Sequence, residues 1–144
     1  MQSHIRATTR SASHHLNLLR SIKPFIPQAD FRMAVQALVI PRLVYGSTTL
    51  VGIPSSKLAP LRVTLNNAAR LITGSNRRDH ITPKLKSLNL LPYEARIHLK
   101  IACLTHKALH HNTPVYLADK LEISGRSRST RGASSLLLKP PPKF

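Results

Sequence analysis

The sequence predicts an all-α fold: a small bundle of about five helices followed by a disordered basic tail. Apolar residues recur at helical spacing in several long segments, and Pro or Gly separates those segments where helices usually end. No run alternates between apolar and polar residues strongly enough to predict a strand. A chain of 144 residues, 42% of them hydrophobic, is long enough for one domain with a modest core. We predict a flexible N-terminus over 1–10, a helical domain over 11–121 and a disordered tail over 122–144.

The first two predicted helices lie before Gly52. Residues 11–22 form the first, which ends before a Lys-Pro pair. Asp30 is the predicted N-cap of the second, whose apolar residues keep helical spacing. Because Pro41 falls inside this second segment, we expect a kink or break there.

The third helix has the most regular pattern. Its apolar residues recur at steps of three and four, which places them on one face: Leu58, Leu61, Leu65, Ala68 and Ile72. Pro60 suits its first turn, and Gly74 suits the left-handed residue after its last turn. Arg62, Asn66 and Arg70 follow one another at four-residue steps, which predicts a polar strip away from the core.

Two further helices follow a polar turn. The shorter one is predicted to end near Leu88, with Asp79 or Thr82 as its N-cap and Pro83 in its first turn. The longer one covers about 92–111. It carries two apolar strips, one of Ile97, Ile101, Leu104 and Ala108 and the other of Ala95, Leu99, Ala102 and Leu109. Since a helix that is apolar on two sides is usually central in a bundle, we expect it to be central.

The charge balance is the strongest functional signal. The chain has 22 Lys and Arg against 5 Asp and Glu, a net charge of +17, which attracts polyanions at long range. Nucleic acid is the first candidate partner and an anionic membrane surface the second, although no apolar stretch approaches the length of a membrane span. The candidate nucleic-acid-binding residues are Arg62, Arg70, Arg77, Arg78, Lys84, Lys86, Arg96, Lys100 and Lys107. With no Trp and three Tyr, such binding is expected to follow the phosphate backbone, weakly and with strong salt dependence.

The single cysteine and the composition of the N-terminus indicate in which cellular compartment the protein is expected. Cys103 is the only cysteine, so no disulfide can form within the chain, and a reducing compartment, nuclear or cytoplasmic, fits best. The first 29 residues contain no acid and spread Arg among Ser, Thr and His, which imitates a mitochondrial transit peptide. A small basic mitochondrial protein, associated with nucleic acid or the ribosome, is therefore the alternative.

Residues for catalysis are scarce. Two-metal polymerisation needs carboxylates converging on sites about 4 Å apart. The acids here are Asp30, Asp79, Glu94, Asp119 and Glu122, and the first two stand at predicted helix caps. His106 and His110 have the spacing of two imidazoles on one helix face, but no Glu lies between them and no third ligand stands at a suitable spacing. We predict no enzyme activity for this chain alone, no cofactor and no metal site.

Several segments together resemble the C-terminal region of a non-LTR (LINE-type, jockey-like) retrotransposon reverse transcriptase. The resemblance is carried by Asn67-Ala68-Ala69-Arg70-Leu71-Ile72-Thr73-Gly74, by Asp79-His80-Ile81-Thr82-Pro83 and by Lys107-Ala108-Leu109-His110, in that order and spacing. Weaker matches are Leu19 to Phe25, Leu38 to Tyr45, Gly52-Ile53-Pro54 and Ser127 to Arg131. The chain departs from the family at Asn89-Leu90, where a Trp is common, and at Val44-Tyr45-Gly46, where Asp-Tyr-Cys is common.

The resemblance implies the thumb and following helices of the polymerase, which cradle template and product without doing chemistry. The family's aromatic-Ala-Asp-Asp sequence has no counterpart here, so a fragment lacking the catalytic palm is expected. The missing palm would then be a partner, and without it exposed apolar surface predicts marginal stability or self-association. A docking bundle that binds protein rather than nucleic acid stays open, and would keep its partner in about 0.5 M salt.

Overall fold

The computed structural model describes residues 1–122 together with 138 and 139. Its helices in chain order are α1 (Gln2–Ile22), α2 (Gln28–Leu38), α3 (Ile40–Val44), α4 (Ser55–Thr73), α5 (Ile81–Ser87), α6 (Tyr93–His111) and α7 (Val115–Ala118). Two 3-10 turns cover Lys23–Phe25 and Ser47–Leu50. Five of these helices have seven or more residues, and no strand occurs in the described residues, which confirms the predicted all-α fold. The predicted tail over 122–144 lies almost wholly outside the described residues.

The chain divides into two compact units, Met1–Lys100 and Ile101–Phe144. Within the first unit, α4 packs against α1, α2, α3 and α5. In the second unit, the amide of Lys139 donates to the Glu122 carbonyl at 2.9 Å, and its ammonium pairs with the Glu122 carboxylate at 2.7 Å. None of the helices described is long and apolar enough to cross a membrane.

Helix α4 provides the centre of the first unit's core. All five residues of its predicted apolar face are buried, with at most 4% of any of them exposed. Gly74 follows the helix with φ at +66°, the left-handed conformation predicted for it, and its amide donates to the Arg70 carbonyl. The prediction for Pro60 was wrong: it is the sixth residue of α4, because the helix begins at Ser55.

Helix α1 begins nine residues earlier than predicted, so the expectation of a flexible segment over 1–10 was wrong. Its buried residues, Ile5, Ala12, Leu16 and Leu19, face the core along the whole helix. Ser, Thr and His have low intrinsic helix propensity. Packing against α4 supplies the stabilisation that these residues lack, as is usual for amphipathic helices in proteins.

Neither predicted aspartate cap is formed. Asp30 is the third residue of α2, and the N-cap of that helix is Pro27. The Asp30 carboxylate therefore interacts favourably with the helix dipole but does not cap the helix. Helix α5 starts at Ile81 after His80, and no side chain caps it, neither Asp79 nor Thr82. Pro27 and Pro54 stand immediately before α2 and α4, so the fixed backbone of proline marks these starts instead.

The break predicted at Pro41 is confirmed. Helix α2 ends at Leu38 and α3 begins at Ile40, with Pro41 as its second residue. Proline is tolerated there because the amides of a helix's first turn have no partner within the helix. The chain thus turns between two short helices, and both of them contact α1.

Helix α6 differs from its prediction. Ile97 and Ala108 of its first apolar strip are buried, but Leu99 of the second strip is 52% exposed and Ala102 is exposed as well. The expectation that α6 is buried on two sides was therefore wrong. Its first residue, Tyr93, is buried, and its hydroxyl donates to the Leu43 carbonyl at 2.9 Å.

Candidate nucleic-acid interface

A basic cleft lies in the first unit where the end of α1 meets the end of α4. Its volume is about 600 Å³. Its polar lining consists of Arg20, Lys23, Asn67, Arg70, Ser75 and Arg77. Four of these six side chains are cationic, and no carboxylate lines the cleft. We call this site the α1–α4 cleft.

The cations from the first helix are placed by α1 and the turn that follows it. Arg20 lies in the last turn of α1, and Lys23 follows three residues later, so the two fall on the same side. The Lys23 ammonium donates to the Leu71 carbonyl at 2.7 Å and lies 5.6 Å from the centre of the Phe31 ring. A cation at the carboxyl end of a helix is stabilised by the helix dipole. Lys23 is thus fixed at the cleft by the last turn of α4.

Arg70 lies on α4 one turn before the helix ends. One terminal nitrogen of its guanidinium donates to the Asp79 carbonyl at 3.4 Å. Its Nε atom is buried and has no hydrogen-bond partner among the residues described. A buried donor without a partner costs about 1–3 kcal/mol, so placing this guanidinium at the cleft lowers the stability of the fold.

A tight turn over 76–79 presents Arg77. The Asp79 amide donates to the Asn76 carbonyl at 3.2 Å, and the Asp79 carboxylate accepts the Asn76 amide at 3.1 Å. Arg77 and Arg78 are the two central residues of this turn, and both are exposed. Arg77 lines the cleft, whereas Arg78 does not.

The structure brings only two of the nine predicted basic residues to the cleft, Arg70 and Arg77. The other seven do not line it: Arg62, Arg78, Lys84, Lys86, Arg96, Lys100 and Lys107. Lys107 belongs to the second unit, and Lys86 lines a separate, mostly apolar cavity of about 440 Å³ beside Leu85 and Leu90. The predicted set is therefore divided among several surfaces.

Two of those seven residues, both arginines, already have protein partners. Arg62 pairs with the Glu94 carboxylate at 3.3 Å. Arg96 is half-buried, and its Nε donates to the Leu91 carbonyl at 3.1 Å. Burial also lowers the pKa of Arg96. Neither residue lines the cleft, and each is held by a contact within the protein, as Lys23 and Arg70 also are.

Sequence reasoning missed Arg20 and Lys23. Their spacing of three residues at the end of an acid-free segment was a usable local signal. What the sequence did not reveal is that α1 lies against α4, which brings Lys23 to a carbonyl 48 residues away. No aromatic residue lines the cleft, and Tyr93 is buried, so the cleft offers no platform for base stacking.

Three histidines lie near the end of α6. The rings of His106 and His110 lie 4.4 Å apart between centroids, as their spacing predicts. In the described part of the chain, no three His, Cys, Asp or Glu side chains are grouped so that they could hold a metal ion. His106, His110 and His111 are all exposed, and the ring centroids of His106 and His111 lie 6.1 Å apart.

Together these features define a small, strongly basic helical protein with a concave cationic site. Comparison of the chain with protein-family models, with curated proteins and with solved structures finds no match. The resemblance to a reverse transcriptase accordingly stays a prediction that rests on the sequence motifs.

Proposed function

We propose that this chain is the nucleic-acid-gripping region of a non-LTR retrotransposon reverse transcriptase, and that it binds the phosphate backbone of RNA or DNA in the α1–α4 cleft. The observation that supports binding is the convergence of Arg20, Lys23, Arg70 and Arg77 on one concave surface without a carboxylate. Motif order and spacing support the family origin. The two parts of the proposal are tested separately below.

The cleft is suited to phosphate because guanidinium groups form strong, charge-assisted hydrogen bonds with its oxygens. Each neutralised phosphate releases condensed counterions, so affinity falls as salt rises. Four contacts to duplex DNA would give a slope of about −3.6 in log K against log salt, or about a hundredfold loss between about 50 and 200 mM. Because no aromatic residue lines the cleft, bases have no stacking surface there, and binding is expected to follow the phosphate backbone.

Polymerase chemistry is not part of the proposed function of this chain alone. Asp30 lies in α2, Asp79 is engaged in the turn over 76–79, and Glu94 is paired with Arg62. Two-metal catalysis needs carboxylates that converge on one site. In the parent enzyme the palm would supply these carboxylates, and this chain would hold the substrate.

The packing of α1 disfavours the mitochondrial alternative in its cleaved form. Removing a leader of about 20–30 residues would take Ile5, Ala12, Leu16 and Leu19 out of the core and delete Arg20 from the cleft. Loss of four buried apolar side chains would expose the facing surface of α4. The alternative would therefore need an uncleaved targeting signal.

Binding is tested with the complete chain and a labelled duplex of arbitrary sequence, by fluorescence anisotropy over a salt series. The double variant R20A/R77A removes two cleft cations, and R10A/R78A is its matched control, with exposed arginines from the same helix and the same turn. We expect R20A/R77A to bind at least about tenfold more weakly and to lower the salt slope by about 2, with a much smaller loss for R10A/R78A. Equal losses would mean that net charge alone drives binding, and no binding by the unaltered chain would overturn this part of the proposal.

The family origin is tested at the locus. We expect the transcript upstream of the Met1 codon to encode in-frame fingers and a palm with paired aspartates. Translation through that region would make this chain the substrate-gripping end of an active RNA-directed DNA polymerase. Unrelated coding sequence joined directly to the Met1 codon would contradict the family origin and leave the binding proposal to be judged by the salt series.

A further inference from the structure

Asp79 occupies an unusual position for an acid in so basic a protein. It stands next to Arg78 and two residues from Arg77, and it is exposed. Elementary electrostatics assigns such a carboxylate one effect on polyanion binding, which is repulsion. On charge alone, its removal would strengthen the binding of nucleic acid.

The contacts of Asp79 suggest the opposite effect. Its carboxylate accepts the Asn76 amide at 3.1 Å, and its own amide donates to the Asn76 carbonyl at 3.2 Å, so both ends of the turn are tied. Its carbonyl accepts a hydrogen bond from the Arg70 guanidinium at 3.4 Å. Asp79 thus contacts both the turn that carries Arg77 and the side chain of Arg70.

The carboxylate itself stays out of the cleft. Asp79 is not among the residues that line it, whereas Arg70 and Arg77 are. Its acceptor atom is directed at a backbone amide, as in the local side-chain turns that Asp and Asn commonly form. Pre-ordering a loop lowers the entropy that binding would otherwise have to lose.

We propose that Asp79 is a positioning residue of the α1–α4 cleft: it orders the 76–79 turn and orients Arg70 and Arg77, so that losing its side-chain acceptor weakens polyanion binding even where the substitution also raises the net charge. This inference rests on the proposed binding function of the cleft. It adds that the geometry of the turn outweighs the sign of the charge at this position.

Three substitutions separate geometry from charge. D79N removes the charge but keeps a carbonyl oxygen that can accept the Asn76 amide. D79E keeps the charge but moves the acceptor by one methylene, and D79A removes both. D119N makes the same charge change as D79N at an exposed position in the second unit and serves as the control.

Binding to a duplex in the anisotropy assay is the first readout. We expect D79A and D79E to bind about fivefold more weakly, while D79N stays within about twofold of the unaltered chain. If D79A bound the duplex more strongly, by the same factor as D119N, the inference would be overturned. The net charge, and not the geometry of the turn, would then determine the affinity. That result would leave the proposed function intact as long as R20A/R77A still lost affinity.

Hydrogen exchange provides the second readout and excludes a merely structural effect. The Asn76 amide should exchange faster in D79A and D79E than in D79N, while the amides in the middle of α4 and the thermal midpoint stay unchanged. Slower or unchanged exchange at Asn76 in D79A would also overturn the inference. If the unaltered chain binds no duplex at all, the proposed function and the inference fail together.

Discussion

Helices α4 and α6 are each 19 residues long, and both combine apolar strips with basic residues, yet the fold uses them differently. Every predicted core residue of α4 is buried, and its last turn meets the cations of α1. On α6, Leu99 is half exposed and Arg96 is engaged with a carbonyl. Helical periodicity thus shows which residues share a face, while the packing partner decides whether that face becomes core, interface or neither.

The same contrast applies to charge. Lys107 and Arg96 share a helix with each other, but the division of the chain places them in different compact units. Arg20 and Arg77 are 57 positions apart, yet both line one cleft. An excess of seventeen positive charges attracts polyanions in general, and a defined site requires that several of them converge.

The largest expected difference between the two helices is in core stability. Leu65→Ala on α4 should lower the free energy of unfolding by about 2–5 kcal/mol, because Leu65 is 1% exposed and its loss leaves a cavity. Leu99→Ala on α6 should change it by less than about 0.5 kcal/mol, since that side chain is 52% exposed. Urea unfolding followed by circular dichroism measures both. Similar losses for the two variants would contradict the different packing of α4 and α6.

A second difference concerns Arg70, where stability and binding should separate. Arg70→Met keeps most of the side-chain volume but removes a buried Nε that has no partner in the described residues. We expect the free energy of unfolding to change by less than about 1 kcal/mol, because relief of the unpaired buried Nε offsets the loss of the long hydrogen bond to the Asp79 carbonyl. Duplex affinity should fall about fivefold with one fewer phosphate contact.

The matched variant on α6 is Arg96→Met. Since Arg96 donates to the Leu91 carbonyl, its loss should destabilise the fold by about 1 kcal/mol and change duplex affinity little. Parallel unfolding and anisotropy measurements on the two variants provide the comparison. Loss of stability in Arg70→Met without loss of affinity would show that Arg70 is structural.

Tyr93 anchors the start of α6, whereas the middle of that helix is more exposed. The stability contributed by Tyr93 should depend on pH. Burial, with a smaller contribution from Glu94, raises the pKa of Tyr93 to about 12. The raised pKa means that the folded state favours the neutral phenol, which donates to the Leu43 carbonyl. Its stabilising contribution is complete below the ordinary tyrosine pKa of about 10 and is lost as pH rises through about 12.

Thermal unfolding at a series of pH values from about 9 to 12 measures this loss. Tyr93→Phe is the control, because it lacks the titrating hydroxyl and should lose less stability over that range. If both proteins showed the same pH dependence, other groups would be responsible and Tyr93 would not anchor α6.

The smallest expected effect is at the ion pair that joins the two helices. Arg62 of α4 and Glu94 of α6 meet at 3.3 Å with 47% and 29% of their side chains exposed. Exposed pairs of this kind contribute about 0–1 kcal/mol, so Glu94→Gln should shift unfolding only slightly. It should also leave Arg62 unpaired and raise duplex affinity by less than about twofold at low salt. A tenfold rise would indicate that Arg62, rather than the cleft, dominates binding.

Local signals predicted much of this fold. The three-and-four spacing on α4, the stop at Gly74 and the break before Pro41 each depend on a few neighbouring residues, and all three are confirmed. The start of α1 and the aspartate caps were wrong. Burial against α4 extends α1, Pro27 starts α2 ahead of Asp30, and Asp79 is engaged in the 76–79 turn. The candidate site was predicted only in part. Arg70 and Arg77 lie seven residues apart in one short segment, whereas Arg20 and Lys23 join them through a contact between distant helices that periodicity does not encode.

The central claim is that polyanions bind at the α1–α4 cleft and not along α6. Its most direct test is to titrate the complete, isotope-labelled chain with a short duplex and map the amide shifts by NMR. We expect the largest shifts at Ser75, Asn76 and Arg77 and at the end of α1, with small changes at Lys100 and Lys107. Shifts that are largest along α6, or equally large at every exposed lysine and arginine, would contradict a defined binding site in the cleft.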